Sequence, residues 1–389
     1  MKMQIEGNTL RISELTELGA ADSNDFRDGV RSSMNGDLKN IEIDLSQTTF
    51  IDSCGLGALV ALHKTACSRK GMLRLLNPQP SVQQILELTR MHRIFEIKRA
   101  PERVASVETW LPNTSTFRNA DSQSAVSQIS NLPATINTMC DKILWPLPPA
   151  DFSLAQNELH VWAASLDVTP AHLADLVSTL APAEQARAAR FHFERDRDRF
   201  QTGRGLLRAM LSRYLEIDPS KLIFSYNPQG KPFLAGSFNS SGLAFNVAHS
   251  ENLAVFALTR AAQVGVDVER IRPIPDADQL VARFFSPRER ASFQILSEAQ
   301  KPMAFFNLWT RKEAWLKATG EGIAHSLHLA EVSFLPGQPA KLVSIKGSSA
   351  EASRWQLHEL MPARDFAAAL AFERCDKSIS CWRWPGDSK

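Results

Sequence analysis

The stretch Val264-Gly265-Val266-Asp267-Val268-Glu269 combines an apolar strand pattern with two acids near its carboxyl end. Side chains alternate across a β-strand, so Asp267 and Glu269 point to the same side. Two neighbouring carboxylates repel each other unless positive charge lies between them, and a hard cation such as Mg²⁺ prefers oxygen ligands. The stretch therefore predicts a strand that carries either a cation site or, more simply, an exposed acidic end.

A charged helix motif follows at Trp309-Thr310-Arg311-Lys312-Glu313-Ala314-Trp315-Leu316-Lys317, inside a helical pattern over 301–319. Trp309, Glu313 and Lys317 are spaced i, i+4 and i+8, which places them along one helix face. Taken alone, the motif also fits a surface Glu–Lys pair worth roughly a few tenths of a kcal/mol.

Mixed α and β patterns surround these two motifs. A histidine, His249, follows the apolar strand 243–247, where loops commonly carry function, although most loop histidines are simply solvated. Lys231 lies in a turn between Gly230 and Pro232. Further strands are predicted at 254–258, 330–334 and 366–372, and further helices at 181–193 and 199–215.

The first hundred residues show a second pattern of alternating elements. Strands are predicted at 10–15, 41–45 and 72–76, and helices at 25–34, 55–69 and 82–91. Alternation of this kind implies a sheet covered by helices. The segment 101–141 is rich in Ser, Thr, Asn and Gln and predicts a flexible linker, so the 389 residues divide into at least two units.

A possible modification site lies where one of these strands runs into a helix. Ser53 follows Ile51-Asp52 at the start of the helical pattern, where a serine caps free amides. A phosphate on the same hydroxyl would face a helix N-terminus, which favours negative charge. The position therefore fits either a simple helix cap or a phosphorylation site.

Composition narrows the class of protein. Hydrophobic residues make up 44% and charged residues 22%, as in ordinary globular proteins, and the net charge of +2 creates no global attraction to nucleic acid or anionic lipid. The five cysteines are scattered, which indicates free thiols in a reducing compartment. With no signal-peptide pattern and no apolar run long enough to span a bilayer, the expected location is the cytoplasm.

Residues 3–99 resemble the STAS (anti-sigma factor antagonist) domain. The resemblance is carried by the order of elements, the strand end Ile51-Asp52-Ser53-Cys54-Gly55-Leu56-Gly57 and the strand 71–76. It implies a STAS domain over 1–100 with a mixed sheet, in which a partner serine kinase phosphorylates Ser53 and an anti-sigma factor is a possible partner. Many relatives have a second serine where this chain has Cys54. This difference leaves Ser53, the expected phosphate acceptor, in place.

Residues 142–385 resemble the surfactin-synthetase type of 4′-phosphopantetheinyl transferase. The resemblance is carried by Gly230-Lys231-Pro232, Phe245-Asn246 with His249-Ser250, the acidic strand and the charged helix. It implies a domain over 142–389 that consists of two similar α/β halves, with a boundary near 255 and coenzyme A in the cleft between them. Ala248 replaces a serine of many relatives, which puts one hydrogen bond to coenzyme A in doubt.

The resemblance also implies residue roles. Asp267, Glu269 and Glu313 would hold Mg²⁺, Glu313 would be the general base, and Lys317 would stabilise or protonate the leaving 3′,5′-ADP. The expected coenzyme A ligands are Lys231, His249 and an arginine among Arg190, Arg199 and Arg204, because a guanidinium can donate two hydrogen bonds to one phosphate.

The expected function is therefore transfer of phosphopantetheine from coenzyme A to a serine of an acyl or peptidyl carrier protein, with the STAS domain as a regulatory or interaction module. The alternative is a signalling protein whose transferase fold only binds coenzyme A or a carrier. The presence of Asp267, Glu269, Glu313 and Lys317 favours the enzyme. A third idea, that Ser53 itself receives phosphopantetheine from the transferase part of the same chain, is disfavoured. Carrier proteins are helical bundles, whereas this serine follows a strand.

Overall fold

The computed structural model of the chain describes residues 1–19, 22–51, 53–89, 91, 94–99, 145–150, 153–191, 193–227, 230–274, 276–320, 327–373 and 376–385. The predicted linker 101–141 lies outside the described residues. Among the described helices, none is both long and apolar enough to cross a membrane.

The N-terminal part is a mixed sheet with helices between its strands, as predicted. Its elements are β1 (Lys2–Glu6), β2 (Thr9–Ser13), β3 (Glu17–Leu18), α1 (Ser23–Ser33), β4 (Asn40–Asp44), β5 (Phe50–Ile51), α2 (Ser53–Ser68), β6 (Leu73–Leu76), α3 (Pro80–Leu88) and β7 (Glu96–Lys98). The five-stranded sheet has the order β1-β2-β4-β6-β7. Only the β1–β2 pair in it is antiparallel, and β3 pairs with β5 in parallel outside this sheet.

Strand alternation explains this sheet. Ile41 and Ile43 of β4 are fully buried, whereas Glu42 between them is only partly buried. Glu42 forms an ion pair with Arg74 of β6 at 3.1 Å. Phe26 and Val30 of α1 are buried at the i, i+4 spacing of one helix face. The apolar period therefore decides which side of each element enters the core.

The C-terminal part contains two larger sheets. Its elements are β8 (Glu158–Ser165), α4 (Pro170–Ser178), α5 (Pro182–Ala188), α6 (Glu194–Leu215), β9 (Phe224–Tyr226), β10 (Pro232–Leu234), β11 (Leu243–Ser250), β12 (Leu253–Arg260), β13 (Val264–Arg270), α7 (Ala277–Phe284), α8 (Pro287–Gln294), α9 (Lys301–Thr319), β14 (Ala330–Val332), β15 (Leu342–Ile345), α10 (Ser349–Ala352), β16 (Trp355–Leu360), β17 (Phe366–Glu373) and β18 (Ser378–Arg383). One sheet has the order β11-β12-β8-β18 and the other β13-β17-β16, while β9–β10 and β14–β15 are separate pairs.

These sheets and their helices form four layers. One face of the four-stranded sheet packs on α6, where Phe256 joins Leu207 and Met210 in one apolar cluster. Its other face packs on the three-stranded sheet, where Val255 joins Val266 in a second cluster. Helix α9 covers the far side of the three-stranded sheet. The predicted boundary near 255 falls inside β12, and the chain passes from one sheet to the other between β12 and β13.

The approach of α9 to β13 is unusually close. A Cβ atom on Gly265 would overlap the backbone oxygen of Ala314 and the backbone nitrogen of Ala318. Because side chains alternate along β13, Asp267 and Glu269 lie on the same side as Gly265 and face α9. The missing side chain at 265 thus allows the helix that carries Glu313 and Lys317 to lie directly against the acidic strand.

We expect Gly265→Ala to lower the free energy of unfolding of the transferase-like part by about 1–3 kcal/mol, the usual cost of overpacking. Gly203→Ala on helix α6 is the matched control, because a Cβ at Gly203 would meet only Leu166 Cδ2, at 3.4 Å. Urea unfolding followed by tryptophan fluorescence measures both variants. Equal stability of the two would contradict the close approach.

Candidate active site

The two strand acids are buried, so the interpretation of an exposed acidic end is wrong. Asp267 is 2% and Glu269 is 6% exposed. The Lys317 ammonium lies 2.6 Å from Asp267 Oδ1, and Ser250 Oγ donates a 2.7 Å hydrogen bond to Glu269 Oε2. Each acid therefore has a partner that offsets part of its desolvation.

Helix α9 is buried on most of its surface, so the interpretation of Glu313 and Lys317 as a surface pair is also wrong. Glu313 is only 2% exposed. Its neighbour Lys312 is completely buried and donates to Glu289 Oε2 at 2.6 Å and to the Leu327 carbonyl at 2.8 Å, while burial lowers the pKa of this lysine. These buried contacts fix the rotation of the helix and hence the direction of Glu313.

Strand β11 connects the acids to the rest of the site. Asn246 Oδ1 accepts a hydrogen bond from the Val266 backbone N–H at 2.9 Å, and Ser250 Oγ accepts one from the Arg270 backbone N–H at 3.1 Å. Both side chains lie on the β13 side of the strand. Val247 and His249, which alternate with them along the strand, point the opposite way and line a separate cavity.

This cavity has a volume of about 230 Å³ and lies between β11, α5, α6 and the β9–β10 hairpin. Three arginines contribute to its lining: Arg187, Arg199 and Arg204. Tyr226, Gly230 and His249 line it as well. The cavity thus collects positive charge beside an apolar wall, an arrangement suited to a phosphorylated organic ligand.

The three arginines differ in how they are held. Arg199 pairs with Asp167 at 2.9 Å and lies 3.6 Å from Glu251. Arg204 lies 3.4 Å from Glu184 and donates to the Tyr226 hydroxyl at 3.3 Å, and burial lowers its pKa. Arg187 is exposed and lies over the Phe200 ring at 5.3 Å.

Two predicted coenzyme ligands are not in this cavity. Arg190 is exposed beyond the end of α5 and does not line it. Arg187, three residues earlier, does line it and was missed by the sequence analysis. Both arginines belong to the predicted helix 181–193, so the sequence did contain Arg187 as a candidate. Choosing between them requires knowing where the helix ends and which of its faces points to the cavity.

Lys231 also lies elsewhere. Its ammonium donates to the carbonyls of Val264 and Ala318 at 3.1 Å each, and burial lowers its pKa to about 8. Ala318 lies in the last turn of α9, whose carbonyls have no partner within the helix. The turn before Pro232 therefore caps α9, and the structure does not bring Lys231 to the arginine cavity.

Asp267 and Glu269 fit a divalent cation by the chemistry of their oxygen donors. The second carboxylate oxygen of Asp267, Oδ2, is buried and has no hydrogen-bond partner among the described residues. However, within the part of the chain that the structure describes, no three acidic, histidine or cysteine side chains converge as a metal site. The positively charged partner of Asp267 among the described residues is Lys317.

In the N-terminal part, α2 begins at Ser53, directly after β5. This places the residue at the N-terminus of a 16-residue helix. The neighbouring Asp52 lies outside the described residues. The backbone position thus fits both sequence interpretations, a helix cap or a phosphorylation site.

Comparisons with known proteins find matches for the C-terminal part of the chain. A family model described as the 4′-phosphopantetheinyl transferase superfamily matches residues 263–371, and one described as the N-terminal part of 4′-phosphopantetheinyl transferase matches 164–261. The 4′-phosphopantetheinyl transferase HetI of Nostoc sp. strain PCC 7120 is 43% identical over 227 residues, covering 58% of this chain and 92% of HetI. Sfp of Bacillus subtilis is 28% identical over 38% of this chain and 63% of its own length.

The C-terminal part is therefore a transferase with a buried acidic strand and a basic cavity. By its similarity to HetI over nearly the whole of that protein, the chain belongs to the 4′-phosphopantetheinyl transferase family. A STAS domain model matches residues 2–103. The solved structure of the unphosphorylated anti-sigma factor antagonist SpoIIAA covers 26% of this chain and 88% of SpoIIAA, at 19% identity and a TM-score of 0.23.

Proposed function

We propose that the transferase domain moves 4′-phosphopantetheine from coenzyme A to the serine hydroxyl of an apo acyl or peptidyl carrier protein. The observation that supports this best is that strand β11 separates two chemically different groups of residues. On one side are the buried Asp267 and Glu269 with the half-buried Lys317, and on the other is a cavity lined by arginines. A substrate with a phosphorylated nucleotide at one end and a reacting pyrophosphate at the other would engage both sides.

The arginine cavity is the proposed site for the phosphorylated adenosine end of coenzyme A. Arg187 has no ion pair among the described residues, and Nη1 of Arg204 has no hydrogen-bond partner there. Neither group is committed to another polar partner among these residues, and both residues line the cavity. His249 and Arg199 line the same cavity and would add donors. The adenosine 3′-phosphate is the group that we assign to it.

The acidic side is the proposed place of reaction. Asp267, Glu269 and Glu313 would hold Mg²⁺, which would offset negative charge on the pyrophosphate when bound. Glu313 would accept the proton of the carrier serine as its oxygen bonds to phosphorus and the bond from phosphorus to the oxygen of 3′,5′-ADP breaks. Lys317, one turn further along α9, would stabilise or protonate that leaving oxygen.

The STAS domain is proposed as a regulatory module in the cytoplasm. Its acceptor would be Ser53, where a phosphate would lie at the N-terminus of α2 and be favoured by the helix dipole. A serine kinase and an anti-sigma factor are the partner classes that the domain suggests. Domain boundaries at 1–100, 101–141 and 142–389 remain part of this proposal.

We expect Glu313→Gln to slow transfer by at least about a hundredfold, because the amide cannot accept the serine proton. The measurement is the mass of an apo carrier incubated with coenzyme A and Mg²⁺, alongside calorimetric binding of coenzyme A. Glu351→Gln, at an exposed position, is the control and should leave transfer unchanged. Full transfer by Glu313→Gln would exclude this residue as the base. A wild-type protein that binds coenzyme A but modifies no carrier would favour the binding-module alternative.

Arg187→Gln should raise the KM for coenzyme A by about 10- to 100-fold, the equivalent of one hydrogen bond to a charged group. Arg190→Gln, three residues later and outside the cavity, should leave the KM unchanged. Steady-state kinetics with coenzyme A and with 3′-dephospho-coenzyme A separates the two. If Arg190→Gln had the larger effect, the cavity would not be the binding site.

Phosphate on Ser53 is expected in protein isolated from its native cell under conditions that activate its signalling system. Peptide mass spectrometry that covers residues 39–64 would locate it, with Ser46 as the internal comparison. Consistent absence of phosphate from Ser53 would leave the STAS domain with a binding role only.

A further inference from the structure

Glu184 is a buried acid that lies outside the lining of the arginine cavity. It belongs to the first turn of α5 and is 5% exposed. Its Oε2 accepts hydrogen bonds from the Ala181 backbone N–H at 2.9 Å and from Arg208 Nε at 2.8 Å. This oxygen therefore stabilises the start of α5 and neutralises the buried Arg208.

The other oxygen of Glu184 has a different neighbour. Oε1 lies 3.4 Å from Arg204 Nε, an ion-pair contact without hydrogen-bond geometry. Nη2, on the same edge of the guanidinium, donates to the Tyr226 hydroxyl at 3.3 Å. The Phe224 ring lies 5.3 Å from Arg204 Cζ. Arg204 is thus held by an acid, a hydroxyl and a ring, and its remaining nitrogen, Nη1, has no hydrogen-bond partner among the described residues.

Charge explains why this acid is needed. Arg187 and Arg208 both lie close enough to Arg204 to disfavour its charge, and Glu184 and Tyr226 favour it. A buried guanidinium beside two others would otherwise turn towards solvent. Glu184 offsets that repulsion without itself lining the cavity, whereas Arg204 does line it.

We propose that Glu184 is a positioning residue, which holds the Arg204 guanidinium towards the cavity so that it can bind a phosphate of coenzyme A. The inference rests on the proposed function of the cavity and adds a residue that does not itself touch the ligand. Glu184 divides its two oxygens between folding and binding. A change that keeps the first role and removes the second should therefore alter affinity without altering the fold.

Glu184→Gln comes closest to this change, because the amide oxygen can accept the hydrogen bonds now made by Oε2 and the amide nitrogen carries no charge to attract Arg204. The neutral amide also leaves the buried Arg208 without a charged partner, so thermal melting of the variant accompanies the kinetics. We expect the KM for coenzyme A to rise by about tenfold, the low end for residues that orient a ligand-binding side chain. The kcat should be unchanged, since Glu313 and Lys317 lie on the other side of β11. The KM for 3′-dephospho-coenzyme A should also be unchanged. Glu194→Gln, at an exposed acid of α6, is the matched control.

A double-mutant cycle tests whether Glu184 acts through Arg204. In an Arg204→Gln background, Glu184→Gln should have no further effect on the KM. A full additional tenfold rise, or no rise in the single variant while Arg204→Gln raises the KM, would overturn the inference. If thermal melting shows that Glu184→Gln is unfolded, Glu184→Asp takes its place and should raise the KM in the same selective way.

Failure of the proposed function would look different. In that case the wild-type protein would bind coenzyme A no more tightly than 3′-dephospho-coenzyme A in calorimetry, and Arg204→Gln would have no effect either. The inference would then fall together with the assignment of the cavity. Wild-type preference for coenzyme A with an unaffected Glu184→Gln variant would reject the positioning role alone.

Discussion

The contact between the backbone of α9 and Gly265 of β13 is the constraint on which the transferase site depends. Any side chain at 265 would push the helix away from the strand, because the atoms it would meet are backbone atoms that cannot rotate aside. The same contact sets the distance between Lys317 and Asp267 and the direction of Glu313. Buried ion pairs on the far side of α9, such as Lys312 with Glu289, hold the helix in this rotation. A residue with no side chain thus determines the geometry of three charged ones, Asp267, Glu313 and Lys317.

Strand β11 has a comparable role for the substrate. Its alternation directs Asn246 and Ser250 to the acidic strand, where they bind the β13 backbone and Glu269, and directs Val247 and His249 to the arginine cavity. The acidic site and the arginine cavity therefore lie on opposite sides of the same strand. This separation keeps the acids apart from the arginines. Asp267 pairs with Lys317, and Glu269 accepts a hydrogen bond from Ser250. On the cavity side, Arg199 pairs with Asp167 and Arg204 with Glu184.

Local periodicity predicted much of this architecture. The helix over 301–319 and the strand 264–269 follow directly from their apolar spacing, and the two acids lie on one side of the strand as alternation requires. The pairing of β18 with β8 was not predictable, because it joins segments more than two hundred residues apart in parallel. Nor could the sequence choose Arg187 over Arg190, or place the Lys231 ammonium on the carbonyls of Val264 and Ala318. Those outcomes depend on where a helix ends and on which partner burial brings closest.

The parallel pairing of β18 with β8 has a consequence for the order of synthesis. β8 is made early and lies inside its sheet, between β12 and β18, yet its second neighbour is supplied only by residues 378–383. A nascent chain halted before these residues would carry an open strand edge with unpaired amides and carbonyls, which is a template for aggregation. The ribosome must therefore synthesise almost the whole transferase domain before the sheet β11-β12-β8-β18 can close. The N-terminal domain can fold beforehand.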